Sequence, residues 1–135
     1  MSNTQMFVGG AFVDTAQKKT VDVVNPATGV VVGSGVVATI DDVNTLVGAA
    51  SEALVSWSQS TPDERSAALG RLAAAWDARS GELAAAVSRE MGMPISYSGI
   101  FNGFLPGATF GYYSAIAANV VRESTQEALL SLIHI

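Results

Sequence analysis

The side chains that most often attack, protonate or ligate are nearly missing from this 135-residue chain. It has no cysteine, and its one histidine, His134, is the second-to-last residue. That excludes a disulfide, a thiolate nucleophile and a thiolate metal site, and leaves no histidine-based triad or metal site. Three stretches still hold residue types that could do chemistry. Asn25 and Thr28, in Val24-Asn25-Pro26-Ala27-Thr28-Gly29, offer an amide and a hydroxyl. Pro26 suits the first corner of a tight turn, Gly29 accepts a positive φ at its exit, and the residue before a proline is pushed to extended geometry. Asn25 and Thr28 are therefore read as turn formers.

Gly33-Ser34-Gly35-Val36-Val37-Ala38 matches the glycine spacing of a dinucleotide-binding loop. Such glycines hold a pyrophosphate only where they open a helix. Here they sit inside a valine-rich β pattern, and helical spacing starts only at Thr39. The match is read as a bend or bulge in a strand. Trp57 and Trp76 could stack on a ligand, but each lies on an apolar helical stripe, so both are read as packing anchors.

Elements must carry these residues. Phe7-Val8 and Ala11-Phe12-Val13 flank Gly9-Gly10, a two-residue hairpin signal. Asp14 to Lys19 reads as a polar loop, and Met1 to Gln5 as a frayed end. Thr20–Val24 and Val30–Val37 predict a second hairpin. Thr39 caps a helix over 40–57 whose first turn carries Asp41 and Asp42. Its apolar stripe is Val43, Leu46, Val47, Ala50, Leu54 and Trp57. Thr61-Pro62-Asp63-Glu64 combines an N-cap, a proline at the first helical position and the other half of a capping box. It predicts a helix over 62–78, with Leu69, Leu72, Ala73 and Trp76 facing inward and Arg65, Arg71 and Arg79 on or near the solvent face. A third helix is expected over 81–91, stopped by Gly92 with Pro94 beyond. The apolar, glycine-rich stretch that follows predicts a helix over 97–121, kinked or broken near Pro106, with a stripe of Tyr112-Tyr113, Ile116, Ala117 and Val120.

Composition narrows the classes. Hydrophobic residues make up 49% and charged residues 14%, against roughly 25% charged in an ordinary globular domain. A chain this apolar has either a large core or a surface meant to be covered. A net charge of −5 argues against nucleic acid and anionic membranes as partners. No basic leader with an apolar run opens the chain and no stretch of about 18 apolar residues follows, so a cytoplasmic, non-spanning protein is expected.

Taken in order, these landmarks resemble the N-terminal quarter or so of an NAD(P)-dependent aldehyde dehydrogenase. They are the hairpin Phe7 to Asp14, the turn Val24 to Gly29, the two capped helices ending at Trp57 and Trp76, Arg89-Glu90-Met91-Gly92-Met93-Pro94, and Tyr112-Tyr113-Ser114-Ala115. The resemblance implies an α/β parent fold with a Rossmann-type cofactor domain. The part present would be two N-terminal β-hairpins and about four α-helices, without the parallel sheet. Residues 1–122 would be the start of the cofactor-binding domain. The full-length enzyme would oxidise a small-molecule aldehyde with NAD or NADP through a cysteine thiohemiacetal, as a homodimer or homotetramer. The family's catalytic asparagine, glutamate and cysteine motifs and its dinucleotide grip would lie beyond residue 135. No catalytic or cofactor-binding residue is thus carried over, no metal is expected, and this segment alone should bind no dinucleotide. The resemblance does place Ala115, Ile116 and Asn119 on one wall of an aldehyde tunnel, although plain helix packing accounts for them equally well.

The last residues fit nothing in that frame. Leu130-Ser131-Leu132-Ile133-His134-Ile135 is what CTG-TCT-CTT-ATA-CAC-ATC encodes, a string that resembles a transposase recognition end used in sequencing libraries. Residues 123–135 are therefore expected to be a non-native, adapter-derived and disordered tail. A second reading treats the chain as a stand-alone helical interaction module. It requires a genuine stop codon and a folded product, where the enzyme reading requires a frame that continues past residue 122.

Overall fold

The computed structural model describes residues 2–3, 5–15, 19–120, 125–127 and 132–134. The chain opens with short strands β1 (Ser2–Asn3), β2 (Gln5–Val8), β3 (Ala11–Asp14), β4 (Thr20–Val24) and β5 (Val31–Val36). Both expected hairpins are present: β2 pairs antiparallel with β3, and β4 with β5. Gly9 and Gly10 have φ of 58° and 89°, the double positive φ that lets a two-residue turn follow the strand twist. Phe7 and Phe12, paired across the first hairpin, meet edge to face at 5.3 Å.

Of the stretch expected to fray, Ser2, Asn3 and Gln5 lie in strands, and residues 1 and 4 are outside the described residues. Ser2 and Asn3 pair in parallel with Ser34 and Gly35, making β5 the middle strand of three. Backbone groups pair whatever their side chains, so the polarity of these residues is no bar to a strand. This two-residue rung is the only parallel pairing among the described residues. Residues 16–18 of the expected polar loop lie outside the described residues.

Helix α1 (Ile40–Trp57) and helix α2 (Pro62–Asp77) start on reciprocal caps. The Asp42 amide donates to Thr39 Oγ1 at 3.2 Å and the Thr39 amide donates to the Asp42 carboxylate at 2.8 Å. At α2 the Glu64 amide donates to Thr61 Oγ1 at 3.2 Å and the Thr61 amide to the Glu64 carboxylate at 2.7 Å. Each box satisfies orphan amides that helix geometry leaves open. Helix α3 (Ser80–Met91) ends at Gly92 in the left-handed region, φ 71°.

The last helix begins earlier and ends sooner than expected. It runs as α4 (Ile95–Ser98), a π-helical turn (Gly99–Phe104) and α5 (Leu105–Ala117). No break occurs at Pro106. The proline lacks the N–H that would bond the carbonyl four residues back, and the turn before it widens so that the Leu105 amide reaches the Ile100 carbonyl. The packed face of this helix also differs from the expected aromatic stripe. Tyr112 and Tyr113 are exposed, and the inward positions are Gly103, Gly107, Phe110 and Ser114. Small residues let two helix backbones approach closely, and bulky ones are left on the outside.

That close approach builds the core. Ser66 Oγ donates to the Ser114 carbonyl at 2.7 Å and Ser114 Oγ returns the bond to the Ser66 carbonyl at 2.8 Å. A Cβ on Gly70 would lie 3.2 Å from Ser114 Oγ. Trp76 Nε1 donates to the Gly103 carbonyl at 3.0 Å, and its ring meets Phe110 edge to face at 6.0 Å. Ser98, fully buried, donates to the Ala84 carbonyl at 2.7 Å. Trp76 is thus a packing anchor, as its stripe implied.

Beyond α5, β6 (Thr125–Glu127) pairs antiparallel with β7 (Leu132–His134). The rest of the expected 123–135 tail lies outside the described residues, as does residue 121, the expected helix end. No helix among the described residues is long and apolar enough to cross a membrane.

Candidate functional site

The residues with the best claim to chemistry are accounted for first. Asn25 Oδ1 accepts from the amides of Ala27 at 2.9 Å and Thr28 at 3.3 Å, and Thr28 Oγ1 accepts from the Val30 amide at 3.3 Å. The Gly29 amide donates to the Asn25 carbonyl at 2.8 Å. This is the local bonding that makes asparagine and threonine turn formers. The turn also has a tertiary role: a Cβ on Gly92 would come within 2.8 Å of Pro26 Cγ. Two landmarks far apart in sequence, the proline turn and the glycine stop of α3, therefore touch. Nothing in either stretch alone announces that contact.

Gly33, Ser34 and Gly35 lie within β5 opposite Val23, Asp22 and Val21, and β1 covers the other edge at Ser34 and Gly35. A pyrophosphate needs unpaired amides at the start of a helix. Gly33, Ser34 and Gly35 lie inside a strand and do not form such a start. Among the described residues no three acidic or histidine side chains converge as a metal would require.

The candidate tunnel wall lies at the end of α5. The Ser66–Ser114 exchange fixes which side of this helix faces α2. Ala115 and Asn119 are consequently exposed, and Ile116 is half-buried, its carbonyl accepting from the Asn119 amide at 3.0 Å. Beside this end of the helix is an apolar cavity of about 240 Å³ lined by Pro62, Arg65, Leu69, Ala117 and Val120. None of the three expected wall residues lines it. Ala117 and Val120, from the same stripe, do.

Arg65, expected near solvent, is instead part-buried and engaged. It donates from Nε to Ser60 Oγ at 2.8 Å and from Nη2 to the Trp57 and Ser58 carbonyls at 3.2 and 3.3 Å. Its guanidinium lies 5.5 Å from the centre of the Trp57 ring. It closes the C-terminal end of α1, where orphan carbonyls and the helix dipole both favour a cation. The signal was present, a cation just past a helix end, but its target became visible only when α2 folded back.

A broader cleft of about 750 Å³ lies between the end of α1 and α2, lined by Ala53, Ser56, Trp57, Gln59, Ser60, Glu64, Ala67 and Arg71. Its carboxylate is spoken for. Hydrogen bonds from the Thr61 amide and hydroxyl hold Glu64 below the ordinary carboxylate pKa. It stays ionised at neutral pH, far from the range a general base needs. Arg79 likewise holds Glu82 down through a hydrogen bond and its charge, at 2.8 Å. The arrangement supplies a frame and an apolar wall.

Comparison with known proteins places this frame. The model of the aldehyde dehydrogenase family matches residues 12–128. The chain belongs to the aldehyde dehydrogenase family. It is 34% identical over 95 residues to a provisional aldehyde dehydrogenase of Staphylococcus epidermidis, covering 70% of this chain and 20% of that protein. The chain thus spans about a fifth of the length of the curated relatives it matches. A solved NAD-dependent aldehyde dehydrogenase from Sinorhizobium meliloti superposes with a TM-score of 0.84 at 32% identity, over 96% of this chain and 26% of that one. PnpE, solved in complex with nicotinamide adenine dinucleotide, gives 0.82 at 31% identity, over 93% and 26%. The fold is therefore that of an aldehyde dehydrogenase N-terminal part: two hairpins and the helices after them, with no parallel pairing among the described residues beyond the β1–β5 rung.

Proposed function

We propose that this chain is the N-terminal part of an enzyme that oxidises an aldehyde to a carboxylic acid with NAD or NADP through a cysteine thiohemiacetal. We infer equally that residues 1–135 alone do not catalyse the reaction. The observation that carries both halves is a family match over residues 12–128 in a chain without a single cysteine. Attack on an aldehyde carbonyl needs an activated nucleophile, a donor for the developing oxyanion and a base for the releasing water. The residues here contribute framing instead. The small-residue seam between α2 and α5 sets the rotation of the last helix, and the exposed Ala115 and Asn119, with half-buried Ile116, form one wall of the aldehyde's approach. The complete enzyme works in the cytoplasm as a homodimer or homotetramer.

The test takes residues 1–135, titrates NAD and NADP by calorimetry, and assays reduced nicotinamide with short aliphatic and aromatic aldehydes. No saturable binding and no turnover are expected. Micromolar binding, or turnover above a denatured control, overturns the inactivity. The genomic frame past codon 122 tests the other half: it should read on into a cysteine-bearing region, and a stop codon there would refute the assignment. In the complete enzyme, Ala115→Trp should raise KM for bulky aromatic aldehydes about tenfold, the scale on which pockets discriminate size. An unchanged KM removes Ala115 from the wall.

A further inference from the structure

We draw no further inference here: the strongest candidate, the exposed aromatic stripe of Tyr97, Phe101 and Phe104 along α4 and the π-helical turn, is an unpartnered apolar face, and nothing in the structure shows what covers it.

Discussion

The two tryptophans mark two different regions. Trp76 lies where α2 crosses the last helix, its indole N–H bonded to the Gly103 carbonyl and its ring on Phe110. Trp57 ends α1, is 49% exposed, and has the Arg65 guanidinium over its ring. The region around Trp76 is closed by small residues that bring backbones together. The region around Trp57 is open. A cavity between α1 and the first hairpin is lined by Leu46, Ala49, Ala50 and Ala53, while Val43, Val47, Leu54 and Val55 remain exposed. Both helices carry an apolar stripe in sequence, yet among the described residues α2 packs on the last helix while much of the stripe of α1 stays exposed. An amphipathic pattern states that a helix expects a cover; it does not say where the cover comes from.

If that contrast is right, the same substitution should act very differently at the two sites. Trp76→Ala should cost about 3 kcal/mol, the low end for a large aromatic because the ring is only half-buried. Trp57→Ala should cost less than about 1 kcal/mol, as an exposed side chain does. Urea midpoints followed by far-UV circular dichroism compare them. Equal shifts would mean that the two regions are not distinct.

A second pair separates close packing from backbone strain. Gly92 and Gly29 have nearly the same φ, 71° and 70°, but a Cβ would meet Pro26 at Gly92 and open space at Gly29. Gly29→Ala should cost about 1 kcal/mol, the conformational penalty alone. Gly92→Ala should exceed that by about 1 kcal/mol, because a proline ring cannot swing aside as a flexible side chain can. Thermal unfolding of the two variants decides; equal losses would dissolve the contact between turn and helix end.

Caps should matter in both regions alike. Thr61→Ala removes one side of the α2 box and should cost about 1 kcal/mol, seen as faster amide exchange in residues 62–65. Unchanged exchange there would show that the box is idle.

The smallest effect is electrostatic. The folded-state pKa of Glu64 is below the ordinary 4.5, so its contribution is fully present above that value and is lost as pH falls through the depressed one. Glu64→Gln should therefore flatten the dependence of helicity on pH below that ordinary value, weakly, since the group is exposed and screened. Parallel pH curves for the two proteins would remove the carboxylate from the account.

Local elements were legible because their causes are local. A threonine before a proline and three residues from a glutamate starts a helix, two glycines between apolar runs turn a hairpin, and a glycine before Met93-Pro94 stops a helix, wherever the segment ends up. Gly33-Ser34-Gly35 lies inside a strand for the same reason: the valines around it favour extended backbone, and α1 opens only at Ile40. The sequence also determined what chemistry the chain lacks, since a missing thiol cannot be supplied by folding. Tertiary structure decided the rest. The face of the last helix that packs is its glycine and serine side, because approach distance and not hydrophobicity sets that contact. Likewise Pro106 is absorbed by a π turn because α2 and α3 hold the helix on both sides of it. The touching of Pro26 and Gly92 joins residues far apart along the chain, and no spacing rule reaches across that distance; Arg65 reaches only back to Trp57, Ser58 and Ser60, but it does so because of the angle at which α2 leaves the end of α1.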